Sequence, residues 1–275
     1  MKRHYLVFGA HPDDCEISVG GTAAKLAACG DKVKFVSVTN GNKGHFADEY
    51  VRDPNSLIER RMAEARAGAE AIGAEFECLG VDDGEVFVTH ELTERIVKVI
   101  REFGSEGTGP DLVMLNRPTD YHRDHRYTAQ SVLDASYVLT VPLYSHSIRH
   151  LDRMPVFAYW ADQFSESGDF RADVVVPIDD VFETKLDGVA AHVSQFFEWL
   201  PFNAMSLDSV PDDDDGRRSY LRNQLQNRAR RVTEWVADSP ARERAGECEF
   251  VEAFQISEYG RQPSTDDLAE LFPVQ

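Results

Sequence analysis

The chain has 275 residues, a formal net charge of −19, and 42% hydrophobic and 28% charged residues. This is the make-up of a soluble globular protein long enough to bury a substantial core, and its acidic surplus argues against nucleic acid or anionic membrane as partner, since both call for an excess of Lys and Arg. No run of eighteen apolar residues marks a transmembrane helix, the first strand begins too early for a secretory signal, and the four scattered cysteines, with no Cys-x-x-Cys pair, read as reduced thiols of a cytoplasmic protein.

Tyr5 to Gly9 is a short apolar run that predicts a buried parallel strand. The segment Ala10-His-Pro-Asp-Asp-Cys-Glu16 follows directly, so His11, Asp13 and Asp14 leave the strand's C-terminal end, where open α/β sheets bind their ligands. Ser18 to Cys29 predicts a helix stopping at Gly30, and Lys34 to Thr39 a second strand followed by the loop from Asn40 to Gly44. Residues 56 to 72 place Leu57, Ile58, Met62, Ala65, Ala69 and Ile72 at helical spacing and stop at Gly73. Glu75 to Leu79 predicts a third strand, Asp82-Asp83-Gly84 a turn, and His90 to Phe103 an amphipathic helix. Leu112 to Leu115 reads as a buried strand that runs into a second polar segment, Asn116 to His125, and a helix begins about there and continues through Ala135.

Residues 156 to 160 and 173 to 177 predict later strands. Asp179 and Asp180 suggest an Asx-type cap on a helix running to about Trp199. Residues 201 to 216, with the acidic block Asp212 to Asp215, read as a surface loop or lid; a helix (217 to 237), a strand (249 to 256) and a peripheral tail from 260 complete the chain. The βαβ alternation predicts a mostly parallel sheet. With no repeat and no strong boundary, the expectation is one α/β domain with a core of about residues 1–200 and a C-terminal helix-and-strand extension over about 201–275.

An imidazole and two adjacent carboxylates at one strand end repel one another unless they share a cation or a proton. A divalent metal held by His11 and one aspartate, with the other aspartate free to move protons, relieves the crowding and predicts a metallohydrolase. His122-Arg-Asp-His125 ends another strand of the same sheet, so the two segments can converge. His11, Asp14 and His125 together offer two imidazoles and one carboxylate, a set suited to a catalytic Zn²⁺ with open positions for water and substrate. Asp13 cannot comfortably ligate from the same turn and is placed as general base. His122 would lie beside the metal, where a protonated imidazole stabilises an oxyanion or protonates a leaving amine. Asp124 is expected to orient one of these rings through its second nitrogen. Singly, a His-x-x-His or an Asp-Asp pair is weak evidence, because surfaces and caps carry both by chance; the two together at strand ends are far more specific.

These segments resemble a known family. Ala10-His-Pro-Asp-Asp-Cys-Glu16 is similar to the HPDD-x-E signature of the PIG-L/LmbE-type zinc-dependent N-deacetylases, and His122-Arg-Asp-His125 to their second motif. Gly20-Gly21-Thr22, Thr39-Asn40-Gly41, Arg61-x-x-Glu64, Asp83-Gly84, and Lys185 followed by His192-x-Ser194-Gln195 extend the likeness over about residues 5 to 200; beyond that only Glu252-Ala-Phe254 matches. The resemblance implies a Rossmann-like three-layer α/β/α fold and hydrolysis of an N-acetyl group from an amino sugar or glycoside. By motif position it implies His11, Asp14 and His125 as zinc ligands, Asp13 as base and His122 as oxyanion stabiliser or general acid. Arg61 and Asp83 match positions that contact substrate hydroxyls or support the site.

Asp120 stands where some relatives carry a tyrosine that helps polarise the carbonyl, and it joins His45 and His192 as a substrate-side candidate. Fe²⁺, Mn²⁺ or Co²⁺ could occupy the same donors. The loops at 40–50, 140–150 and 200–216 are expected to shape the specificity pocket. The partner expected is a small N-acetylated molecule, and the resemblance leaves homo-oligomerisation open. Two alternatives stand beside the sugar deacetylase: a deacylase of a non-sugar amide, and a metal-dependent binding protein without catalysis, against which an intact Asp13 argues.

Overall fold

The computed structural model describes residues 2–104 and 107–273. In chain order the elements begin with β1 (His4–Gly9), α1 (Asp14–Ala28), β2 (Lys32–Thr39), α2 (Asp48–Arg52), α3 (Pro54–Ile72), β3 (Glu75–Val81), α4 (His90–Glu102), β4 (Leu112–Leu115) and α5 (Arg123–Val138). There follow β5 (Val156–Trp160), β6 (Val174–Pro177), α6 (Phe182–Ala190), α7 (Leu200–Asn203), α8 (Asp214–Trp235), α9 (Pro240–Arg244), β7 (Val251–Gly260) and α10 (Thr265–Leu271). The strands form one sheet in the order β3-β2-β1-β4-β5-β7-β6. The first five are parallel, and β7 runs antiparallel to both β5 and β6.

Side-chain alternation along β1 divides the core. Tyr5 and Val7 face a layer that holds Val19, Ala69 and Leu186 from α1, α3 and α6, while Leu6 and Phe8 face Ile96, Val97 and Val132 from α4 and α5. A strand buried on both faces reads as the continuous apolar run seen in the sequence. The expected three-layer arrangement is therefore present: a seven-stranded, mostly parallel sheet between helices. Chain order reverses between β1 and β4, and such a reversal opens a crevice at the carboxyl ends of the two strands.

Several boundaries differ from the sequence expectation, each for a local reason. α1 begins at Asp14 rather than Ser18, so the motif's second aspartate lies in the helix's first turn. Asp179 caps no helix: its carboxylate accepts the backbone N–H groups of Glu249 and Phe250 at 2.9 and 3.3 Å, and α6 starts after a short 3-10 turn. The helix expected to reach Trp199 is interrupted after Ala190 and resumes as a π-helix at Ser194–Trp199. Pro201 has no N–H for the carbonyl of Phe197, which suits a widened turn there. The acidic block is a helix start: Asp213 accepts the Gly216 N–H at 2.8 Å, and Asp214 and Asp215 occupy the positive end of α8. The tail is not wholly peripheral either, since Leu271 and Phe272 are buried and Phe272 packs on Phe254. Among the described residues no helix is long and apolar enough to cross a membrane.

Candidate active site and metal centre

The two polar segments meet at the reversal between β1 and β4. After β1 the chain turns sharply at Gly9, where a Cβ would come within 2.7 Å of the Asp14 Cβ. The turn lets Asp14 Oδ2 accept the His11 N–H at 2.8 Å, so the motif braces itself. After β4, Asn116 donates to the carbonyls of Arg117 and His125 at 2.7 and 3.0 Å, and Asp120 accepts the His122 N–H at 2.7 Å. His122 then caps α5, its Nδ1 accepting the Asp124 N–H at 3.2 Å.

Three donor atoms converge. His11 Nδ1 lies 3.1 Å from His125 Nε2 and 3.6 Å from Asp14 Oδ2, and His125 Nε2 lies 3.4 Å from Asp14 Oδ2. Metal–ligand bonds of about 2.0–2.1 Å in a tetrahedron give ligand–ligand edges of about 3.3–3.4 Å, so the triangle fits a small divalent ion. The remaining ring nitrogens face carboxylates: His125 Nδ1 to Asp120 Oδ2 at 3.0 Å, and His11 Nε2 to Asp83 Oδ1 at 3.2 Å and Asp124 Oδ2 at 3.6 Å. A carboxylate at one nitrogen fixes the proton there and turns the other nitrogen's lone pair inward. Two lone pairs and a carboxylate oxygen then point at one spot, an arrangement that a cation resolves. A second group, His11, Asp83 and His122, borders the first and shares His11.

The electrostatics agree with cation-seeking chemistry. Burial alone would lower the His11 pKa, but Asp124, Asp14 and Asp83 hold it well above the usual imidazole value. His125 is likewise opposed by burial and pushed up to about 10 by Asp14 and Asp120. Burial works against the charge on Asp14, yet His125 and His11 hold its pKa well below the carboxylate range. His122 differs: burial, and the charges of His11 and His125, push its pKa down. Its Nδ1 already accepts a hydrogen bond, so the neutral ring offers Nε2–H as a donor, where the sequence suggested a protonated imidazole.

Asp13 stands outside the donor triangle. Its carboxylate lies 3.5 Å from Arg61 Nη2 and accepts Gln195 Nε2 at 3.2 Å, while Arg61 donates to Gln195 Oε1 at 2.7 Å. Glu64, one turn beyond Arg61 on α3, accepts the N–H and hydroxyl of Ser194 at 3.0 and 2.5 Å. The paired motifs Arg61-x-x-Glu64 and Ser194-Gln195 thus grip each other, and the π-helix presents Gln195 and Trp199 to the site. A cavity of about 850 Å³ lies over the cluster, lined by Asp13, Asp14, Asp83, Asp120, His122 and Arg61 among others.

The other sequence candidates fall elsewhere. Asp124 is wholly buried and does not line this cavity; its oxygens accept the N–H groups of Gly84 and Val86 at 2.6 and 3.2 Å, which fixes the turn carrying Asp83 beside His11. Asp120 lines the cavity, but one oxygen is committed to His125 and the other to a backbone N–H. His45 does not line the cavity: it bonds Glu198 at 2.8 Å and stacks on Phe46. His192 is buried behind the site in an ion pair with Glu16 at 3.2 Å. The 140–150 loop contributes nothing to the cavity, whereas Trp160, Gln163, Phe164, Arg228 and Trp235 do. No sequence signal marked those five. Arg117 holds the 161–168 loop in place through Asp162 and the carbonyls of Phe164 and Gly168.

Comparison with known proteins agrees with this geometry. Residues 6–136 match the family model described as PIG-L, GlcNAc-PI de-N-acetylase. A diacetylchitobiose deacetylase from Thermococcus kodakarensis is 32% identical over 206 residues, covering 70% of this chain and 72% of the relative. The solved N,N'-diacetylchitobiose deacetylase from Pyrococcus horikoshii shares the fold with a TM-score of 0.72 at 24% identity, over 96% of this chain and 88% of that one. GalB, the 4-carboxy-2-hydroxymuconate hydratase from Pseudomonas putida KT2440, shares it too, with a TM-score of 0.68 at 19% identity over 96% and 99% of the two chains. One fold thus carries a hydratase as well as deacetylases, and the reaction has to be argued from the site.

Proposed function

We propose that this chain, which belongs to the PIG-L family of de-N-acetylases, is a zinc-dependent hydrolase that removes the acetyl group from a small N-acetylated amino sugar or its glycoside. The observation that carries the reading is the division of labour at one strand end. His11, Asp14 and His125 aim donors at a common point, and Asp13, next in sequence, is held just outside it with its carboxylate facing the cavity.

Zinc bound by His11, Asp14 and His125 would supply Lewis acidity toward water and toward the acetyl carbonyl. Asp13 takes a proton from water as the water oxygen bonds to the carbonyl carbon. His122 Nε2–H donates to the oxygen that gains negative charge. The proton held by Asp13 passes to the nitrogen as the C–N bond breaks, giving acetate and a free amine. Arg61 and Gln195 keep Asp13 aimed throughout, and Asp120 and Asp83 keep the two imidazoles turned inward.

Metal-loaded protein is expected to release acetate from N-acetylated glucosamine derivatives at a rate well above that with non-sugar acetamides. Hydrolysis of non-sugar amides alone would instead indicate the deacylase alternative, and tight binding without any turnover would indicate the non-catalytic one. Asp120→Asn is expected to weaken metal binding by about 10- to 100-fold, as loss of a carboxylate behind a ligating histidine does. A chelator competition titration reads this directly, and unchanged affinity would detach Asp120 from the metal centre.

A further inference from the structure

Every other arginine of the described residues has a hydrogen bond, an ion pair or an aromatic ring beside it, and Arg228 has none. It projects from α8 into the cavity over the His/Asp cluster, and it also lines a second cavity of about 410 Å³. Ile17, Gln163, Leu200 and Trp235 border both spaces as well, so the two form one bent cleft with Arg228 at the junction. Arg228 as a residue is exposed in the cleft, yet protein surrounds its charged end closely enough to push its pKa down.

Charge separates the two arms. The arm over the cluster holds Asp13, Asp14, Asp83, Asp120 and Asp162, whereas no acidic residue lines the side arm. In a chain of net charge −19, its only ionisable groups are Arg228 and Arg231, one helical turn apart on α8. Gln163, Gln224 and Asn227 add neutral hydrogen-bonding groups, and Trp235 an aromatic wall. A guanidinium kept in a concave, partly desolvated place without a partner is suited to a ligand carboxylate or phosphate, which it can bind bidentately.

We infer that the side arm is a subsite for an anionic group, carboxylate or phosphate, carried by the substrate beyond its amino sugar, with Arg228 and Arg231 as the cationic partners. This rests on the deacetylase reading only for the sugar part of the ligand. The arms of the cleft then divide the substrate: the acetamide goes to the acidic, metal-holding end, and the anionic end to the arginines.

All three tryptophans of the chain, Trp160, Trp199 and Trp235, line the cleft, so intrinsic fluorescence can report binding without turnover. Three N-acetylglucosaminides matched in size, with glycolate, phosphoethyl and neutral glycolamide aglycones, are titrated into metal-loaded protein. The glycolate or the phosphoethyl compound is expected to bind at least about tenfold tighter than the glycolamide, and whichever of the two does so identifies the anion. In Arg228→Gln that ratio is expected to fall to within about twofold, and in Arg228→Glu to drop below one. Equal binding of all three by the wild type, binding of none, or a ratio preserved in an Arg228→Gln/Arg231→Gln double variant would each overturn the subsite. Anion-selective binding without acetate release would count against the deacetylase reading and leave the subsite standing.

Discussion

Asp13→Ala is expected to reduce kcat/KM by about a thousandfold while leaving one equivalent of divalent metal in the protein, and His125→Ala to lose both. A positioned general base contributes on the order of 10²–10⁴ in rate, and Asp13 offers its oxygens to Arg61 and Gln195 rather than to the donor triangle. Removing it therefore takes away the proton acceptor and spares His11, Asp14 and His125. His125→Ala removes one corner of the triangle and leaves Asp120 without its imidazole partner. Metal analysis and acetate release measured on the same preparations test the pair. Metal lost from Asp13→Ala would make that residue a ligand, and one tightly held equivalent in His125→Ala would overturn the proposed ligand set.

The two variants also isolate what the chain made legible. His11, Asp13 and Asp14 could be placed because a short apolar strand leads into them with no intervening loop, so strand geometry fixes where they emerge. β4 points its chain at the same edge, but His125 follows only after residues 116–122 and sits in the first turn of α5. Sequence suggested Asp124 behind one of the rings, and its carboxylate lies 3.6 Å from His11 Nε2. It did not suggest Asp120 or Asp83 in that place, because those two reach the ring nitrogens only after the loops that follow β4 and β3 close on the motif. His45 and His192 carried suitable chemistry, but neither lines the cavity, and Glu198 and Glu16 take them up. Arg228 and Trp235 were illegible for a different reason. α8 is polar on most of its surface and buries only Leu221, Leu225, Ala229 and Val232, so nothing in its pattern separates a cleft-facing arginine from a solvated one.

A few matched positions had no assigned purpose, and they prove to be neighbours. Gly20, Gly21 and Thr22 in α1, Lys185 in α6 and Glu252 in β7 meet in the layer beneath the site. Glu252 accepts the N–H groups of Gly21 and Thr22 at 2.9 and 2.7 Å and the Lys185 ammonium at 2.6 Å, and both charged side chains are more than nine-tenths buried. The glycines are required by contact: a Cβ on Gly21 would lie 2.6 Å from Ile178 and 3.2 Å from Glu252 Oε1, and one on Gly20 would lie 3.2 Å from Lys185. Glu252 so joins the C-terminal strand to the helix that carries Asp14.

Glu252→Gln is expected to be the most destabilising single change of comparable size, by about 3–5 kcal/mol, the usual cost of removing one partner of a buried pair. The glutamine amide would turn donors toward donors, and Lys185 would keep a charge that burial already disfavours. For a chain of this length that corresponds to a fall of roughly 10 °C in Tm. The double change Lys185→Met/Glu252→Gln should recover a good part of the loss, because the uncompensated charge is gone. Thermal denaturation of the metal-free proteins separates this from any effect of ligation. A drop below about 1 kcal/mol in Glu252→Gln would mean that water or rearrangement satisfies Lys185. In that case the link between β7 and α1 would rest on apolar packing alone.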